Sequence, residues 1–524
     1  MTTPTIYDAI PYPGKPFPQT HPDLLGTLAT LYGLASPNVS TCRVLEIGCG
    51  DGFNLIPIAL SLPSASCLGI DLVATGITKG NAVIQQLGLK NITLRQLDML
   101  EINPDFGQFD YIIAHGIYSW IPENVRNKLL SICKENLAQN GVAYISYNAY
   151  PGGHLRNMVR DMMRYHSEKH DSLEQKLLQA RALLEFVAGP ETDAHLNGSY
   201  QAVLQSERNR IRAYTDNSLY HDDLLDCNAP VYFSEFMAHA GQYGLQYLTE
   251  AVFAESQTDL YPPEVIDVLN QISNSIIEKE QYMDFIRGRR FRQTLLCHEA
   301  QELDHTPHAE NIVDLYIGSF LRPEFPDSDP NAQGSLNFIR HNNVEGAFSI
   351  DNPLFKSAFI QLGRAWPNTI QFSKLLDEVV IECNVKQDTQ ENIKILTEML
   401  LAAYAGGLVE FYSLPSRFVV QSGEYPIASP LARLQSAEST SLTNLKHSSI
   451  KIEDPIDRLL LQLLDGSRDK AILIHEISEW IVSGKVSIPQ CDVKFANADQ
   501  IRDIAAEQLE LSLNKLGSSA LLLA

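Results

Sequence analysis

No Cys-x-x-C pair occurs in the 524 residues, whose 8 cysteines stand scattered at positions 42, 49, 67, 133, 227, 297, 383 and 491. That excludes the usual ligand spacings of a structural zinc and points to reduced thiols. No apolar run approaches the ~18–20 residues that cross a bilayer. The opening MTTPTI lacks the basic and apolar regions of a signal peptide. A soluble, cytoplasmic protein without a bound metal is therefore expected. Positive charge is also scarce: 40 Lys+Arg against 63 Asp+Glu give a net charge of -23. So acidic a surface repels phosphate backbones, which argues against nucleic acid as a partner, and attracts basic ones, lysine-rich peptides included.

The most informative stretch is RVLEIGCGDGFN, residues 43–54. A short apolar run of strand character leads into glycines at 48, 50 and 52, and the run after Asn54 has helical character. A sharp strand-to-helix turn aims backbone N–H groups and a positive helix end at a nucleotide-like ligand, and glycine permits the close approach. A dinucleotide fingerprint would need G-x-G-x-x-G, but Phe53 stands at its third glycine. The pattern is E-x-G-x-G-x-G, and it resembles motif I of class I S-adenosylmethionine (SAM)-dependent methyltransferases. That resemblance implies that Glu46, Gly48, Cys49, Gly50, Gly52 and Asn54 hold the methionine end of SAM, which leaves as S-adenosylhomocysteine.

Further acids follow at strand ends. Residues 66–71 read as a second strand ending in Asp71, about twenty residues beyond the last glycine, where nucleotide-binding α/β proteins offer a carboxylate to ribose hydroxyls. Leu72 is placed beside it. Residues 91–98 form a third strand, whose end in SAM enzymes meets the adenine; Asp98 and Met99 are the candidates. Strands at 109–116 and 140–148 alternate with helices, which predicts a doubly wound, Rossmann-like parallel sheet with its ligands at the C-terminal strand ends. Residues 230–250 supply a helix and a sixth strand, and residues 152–228 between them read as a helical insertion.

The fourth strand ends in AHGIYSW, residues 114–120, not in the Asn/Asp-Pro-Pro-aromatic motif of enzymes that methylate base or amide nitrogens. His115 and Gly116 are assigned to the cofactor. His115, Tyr118 and Trp120, with Tyr147 and Asn148 from the fifth strand, form a polar, aromatic wall that suits a sulfonium or an alkylammonium. The proline-rich opening segment is read either as a packing arm or as a lid bringing Tyr7, Tyr12 and His21 to the mouth of the site. The polar turn Tyr220–Asp223 holds too few ligands for a metal. Arg287, Arg289, Arg290 and Arg292 are expected to pair with the chain's own carboxylates or with an acidic partner.

Several segments together resemble bacterial protein lysine methyltransferases of the rickettsial type: YDAIPYP (7–13), THP (20–22), EIGCGDGFNL (46–55), AHGIYSW, SYN (146–148) before Pro-Gly-Gly, and FRQTLLCH (291–298). The last resembles the segment known as the methyltransferase regulatory domain. The implied organisation is an arm plus methyltransferase domain over 1–260, a mostly helical middle domain over 261–425, and a winged-helix-like domain over 430–524. The regulatory-type region of about 215–300 spans the first junction, and the polar stretch 421–449 is expected to be a linker. Protein contact or homo-oligomer formation is expected of the C-terminal domain.

The implied activity is SAM-dependent methyl transfer to lysine amines of a protein. Methylation of a small molecule is the alternative, and a SAM-binding regulator without turnover is the third reading. A lysine near pKa 10.4 must lose its proton before it attacks. Tyr12, His115, Tyr118 and Tyr147 are the candidate proton acceptors, left unranked by the sequence.

Overall fold

Seven strands form one sheet: β1 (Arg43–Ile47), β2 (Ser66–Asp71), β3 (Ile92–Gln96), β4 (Phe109–Ala114), β5 (Leu137–Asn148), β6 (Leu245–Glu250) and β7 (Phe291–His298), in the order 3-2-1-4-5-7-6. The computed structural model describes residues 12, 14–189, 198–341, 347–384, 389–487 and 497–524. Strands β1 to β5 are parallel, and β7 runs antiparallel to both β5 and β6. The strand order reverses at β1/β4, so the ligand crevice of a doubly wound sheet is expected beyond the end of β1.

Alternation along the strands builds a core on each face. Val44, Tyr111, Val142, Tyr144 and Leu295 pack on one side, while Leu45, Ile112, Ala143, Ile145 and Leu296 pack on the other. The helices are α1 (Pro22–Leu31), α2 (Leu55–Ser61), α3 (Ala74–Leu87), α4 (Glu123–Asn136), the insertion helices α5 (Gly152–Ser167), α6 (Leu173–Val187) and α7 (Gly198–Arg212), then α8 (Phe233–Gly241) and α9 (Ile276–Arg287). The expected helix and sixth strand at 230–250 are α8 and β6.

Two expectations change. The sheet does not close at residue 260: its seventh strand, β7, sits between β5 and the edge strand β6. A strand inserted after two intervening helices leaves no local mark of its sheet position. The stretch 421–449 is no linker either. Its few apolar residues, Ile427 and Leu431 and Leu442 among them, are drawn inward; Leu431 and Leu442 are fully buried, and Ser441–Thr443 pairs with Ser449–Lys451 as a hairpin. That hairpin belongs to a C-terminal unit whose core includes Leu460, Leu473, Ile477 and Leu513. Tyr7 lies outside the described residues.

The middle region is helical with small sheets. Its Ile317, Phe338, Phe359 and Phe411 share one continuous core with α1 and the catalytic sheet. Asp23 at the start of α1 accepts hydrogen bonds from Ser413, which fixes the helix to this region. The arginine knot is satisfied internally. Arg292, fully buried, meets Glu250 at 2.7 Å, Asp284 at 2.8 Å and Glu280 at 2.9 Å. Arg289 pairs with Asp284 and Glu255, Arg290 with Glu207, and Arg287 donates to the Glu255 carbonyl. An acidic partner is not needed to account for these residues.

Candidate active site

Beyond the ends of β1 to β5 lies a cavity of about 1290 Å³. Its floor is the turn between β1 and α2. Gly48, Gly50 and Gly52 have φ of 73°, 56° and 76°, left-handed values that L side chains rarely adopt. A Cβ on Gly48 would stand 2.2 Å from Ile117, and one on Gly52 2.7 Å from Leu94, so both glycines are forced by packing. Gly50 has nothing within 4 Å of its Cβ direction and lines the cavity, leaving its backbone open to a ligand. Helix α3 reinforces the turn, for a Cβ on Gly80 would lie 2.5 Å from the Asp51 carbonyl oxygen.

Glu46, at the end of β1, is buried. Its Oε1 accepts from Asn54 Nδ2 at 2.7 Å, while its Oε2 is buried with no hydrogen-bond partner among the described residues. Burial pushes its carboxyl up to about 8. An orphaned carboxylate oxygen on a cavity wall is a place for an ammonium group. Asn54 is fixed on its other side, where Oδ1 accepts from Phe17 N at 2.9 Å and from His447 Nε2 at 2.9 Å. Asp71, at the end of β2, accepts from Gly50 N and Val73 N, both at 2.8 Å. Its pKa is raised by burial, partly offset by those hydrogen bonds. Further round the rim, Asp98 caps the turn Met99–Glu101 by accepting from Leu100 N at 2.9 Å. Leu72, Asp98 and Met99 all line the cavity. The orphan on Glu46, the open face of Gly50 and the acids after β2 and β3 together fit the ammonium, the ribose and the adenine of SAM.

On the acceptor side, His115 stacks on Phe17 with ring centres 3.8 Å apart. Its Nδ1 lies 2.9 Å from Tyr144 Oη, which itself donates to Gln293 Oε1 at 2.9 Å. His115 Nδ1 therefore carries the proton and Nε2 the lone pair. Burial lowers its pKa to about 4, so the ring is neutral at pH 7. Gly116 N donates to Ser146 Oγ at 2.7 Å, and Asn148 Nδ2 to Asn228 Oδ1 at 2.8 Å. His115, Gly116, Trp120, Asn148, Cys49 and Tyr12 all line the cavity.

Three expected site residues lie elsewhere. Tyr118 is buried beside the cavity with its hydroxyl on His239 Nδ1 at 2.8 Å. Tyr147 is stacked on Phe236 and bonded to Thr294 Oγ1, on the opposite face of the sheet. Successive strand residues face opposite ways, so Asn148 lines the cavity, Tyr144 and Ser146 on the same face support His115 from beneath, and Tyr147 faces away. Applied to the sequence, that parity would have selected Tyr144. His21 is packed against Ser61 and His447 in a seam away from the mouth. Of the two readings of the arm, α1 is packing, whereas Tyr12, Gly14, Lys15 and Phe17 line the cavity.

The sequence reading places the helical insertion over the substrate side but names none of its residues in the site. Helices α5 and α7 and the π-helical turn Tyr220–Leu224 bring Arg156, Arg210, Tyr214, His221 and Asp222 to the cavity. Asp223 beneath is tied to Arg156 at 3.2 Å and to Arg210 at 3.0 Å. The Asp222 carboxylate, by contrast, makes no hydrogen bond or ion pair among the described residues. Burial raises its pKa to about 6. The turn set aside as polar surface thus presents a half-buried carboxylate to the cavity, beside Tyr12, which meets His221 edge-on.

Residues 38–194 match a family described as "Methyltransferase domain", 215–298 "Predicted methyltransferase regulatory domain", and 424–521 "PKMT, C-terminal winged helix domain". The second match supplies the turn carrying Asp222 and the strands β6 and β7, so it completes the sheet and the roof. The chain is 34% identical to the uncharacterized protein RP789 of Rickettsia prowazekii, over 98% of this chain and 93% of that one. It is also similar to the structure of PKMT2 from Rickettsia typhi in complex with AdoHcy, with 30% identity and a TM-score of 0.86, covering 98% of this chain and 100% of the other. A second uncharacterized protein of Rickettsia prowazekii, RP028, is 38% identical over 45% of this chain and 93% of its own length.

Proposed function

Because this chain belongs to the SAM-dependent methyltransferase family that includes PKMT2 of Rickettsia typhi, we propose that it methylates lysine side chains of a protein substrate. The observation that carries the reading is the Asp222 carboxylate on the cavity roof, without a hydrogen-bond partner among the described residues and close to Tyr12, in a cavity also lined by Tyr214 and His221. A carboxylate in a cavity lined by aromatic rings suits an alkylammonium, and the net charge of -23 draws basic peptides toward it.

SAM supplies a methyl group already activated by the sulfonium. The protein's contribution is to place an amine in line with it and to remove the amine's proton. Glu46, Asp71 and Asp98 hold the cofactor by its ammonium, ribose and adenine, with Cys49 and Gly116 along its path. Asp222 binds the incoming lysine ammonium and accepts its proton, directly or through water. Its pKa of about 6 lies about 4 units below a free lysine, a gap of about 6 kcal/mol. Burying the amine in the same cavity narrows that gap from the lysine side. Tyr12 is a weaker candidate for this task, since burial and the neighbouring Asp222 both raise its pKa. Neutral His115 offers Nε2 as an acceptor that orients the amine.

The test is transfer of radiolabelled methyl from SAM into a fractionated lysate. Label in acid-insoluble protein that hydrolyses to methyl-lysine is the expected result. Label confined to small molecules would overturn the lysine reading and leave a small-molecule methyltransferase. In the same assay, Asp222→Asn should raise KM for the protein substrate at least tenfold and leave the affinity for S-adenosylhomocysteine unchanged.

A further inference from the structure

A hydrogen bond from His447 joins the C-terminal unit to the cofactor turn. The hairpin Ser441–Thr443/Ser449–Lys451 carries His447 at its tip. Asn444 shapes that tip: its Oδ1 accepts from Lys446 N and Ser448 N, and its carbonyl accepts from His447 N. His447 is held at φ 54°, a left-handed conformation that a side-chain-bearing residue keeps only where its surroundings impose it. The imidazole is 6% exposed and lies edge-on to His21, ring centres 5.2 Å apart.

The hydrogen-bond pattern fixes every role. Asn54 Nδ2 donates to Glu46 Oε1 at 2.7 Å and to Thr20 Oγ1 at 3.0 Å, so Asn54 Oδ1 is the acceptor for Phe17 N and His447 Nε2. His447 therefore carries its proton on Nε2, and its Nδ1 is buried without a partner among the described residues. Without His447, Asn54 would lose one of the bonds that fix its amide, and the amide is what holds Glu46 with Oε2 free on the cavity wall.

We infer that His447 is a positioning residue for the cofactor, reaching Glu46 through Asn54 from 393 residues along the chain, and that cofactor binding and seating of the hairpin tip are coupled. The hairpin serves here as an internal brace. Coupling is reciprocal: whatever strengthens the tip's contact strengthens the cofactor's, and the reverse.

The full-length protein tests this in two ways. His447→Ala should weaken S-adenosylhomocysteine binding in calorimetry by about tenfold, the usual effect of losing a buried hydrogen bond and stranding its acceptor. His447→Gln, which keeps an N–H near the Nε2 position, should bind within about threefold of the unsubstituted protein. KM for the methyl acceptor should not move in either variant. Equal affinity in all three proteins, or equal loss in both variants, overturns the proposal. Should His447→Ala fail to fold, hydrogen exchange in the unsubstituted protein decides the question. S-adenosylhomocysteine should slow exchange of the 444–448 amides at least threefold, and unchanged exchange there overturns the coupling.

Discussion

Glu46 makes cofactor binding depend on pH in a direction that can be worked out in advance. With no ligand its carboxyl sits near 8, because burial disfavours the charged form and the hydrogen bond from Asn54 offsets only part of that. The cofactor's ammonium requires the ionised form, so binding must displace a proton. At pH 7 about nine in ten molecules carry that proton, and at pH 6 about ninety-nine in a hundred. The association constant should therefore rise about ninefold between pH 6 and pH 7. The cofactor's own amino group, with an ordinary pKa of about 7.7–8.0, stays charged throughout this interval. Titration calorimetry with S-adenosylhomocysteine, in two buffers of different ionisation enthalpy, should report release of about one proton per ligand. Glu46→Gln should abolish both the proton release and the pH slope and weaken binding about 10–100-fold, the range for a hydrogen bond to a charged group. A flat affinity across this interval without proton release would refute the placement of the ammonium on Glu46.

The acid after β2 gives a second prediction: Asp71→Ala frees the N–H groups of Gly50 and Val73 and removes the ribose carboxylate. S-adenosylhomocysteine binding should fall about 10–100-fold in calorimetry. Gly80→Ala places a methyl 2.5 Å from the Asp51 carbonyl oxygen. Although alanine is the better helix former, thermal unfolding should show a loss of about 1–3 kcal/mol from overpacking; a higher Tm would contradict the packing described. Arg292→Leu strands Glu280 and leaves Glu250 and Asp284 to Arg289 alone, and urea unfolding should lose about 3–5 kcal/mol at pH 7. Those carboxyls would have raised pKa values, so the deficit should shrink as the pH falls and they protonate.

Much of the cofactor site was legible in the sequence because its demands are local. Three alternate glycines answer backbone φ values and close approaches within a few residues, and acids directly after short strands end up at the strand ends of a parallel sheet. Glu46, Gly50, Asp71, Asp98 and His115 could therefore be chosen from spacing and resemblance. The acceptor side was read less well. Tyr147 was chosen for its type, although strand parity puts it on the face opposite Ser146 and Asn148. Nothing within Tyr220–Asp223 distinguishes a solvated polar turn from one folded over a cavity. That difference arises because α5 and α7 bring Arg156 and Arg210 to Asp223 and leave Asp222 free. Only the tertiary structure put β7 between β5 and β6, closed the carboxylates around Arg292, and carried His447 to Asn54. The physical reason is common to all three: a turn or a strand end is specified by its neighbours in sequence, whereas a buried polar contact between distant segments depends on where the whole core has closed.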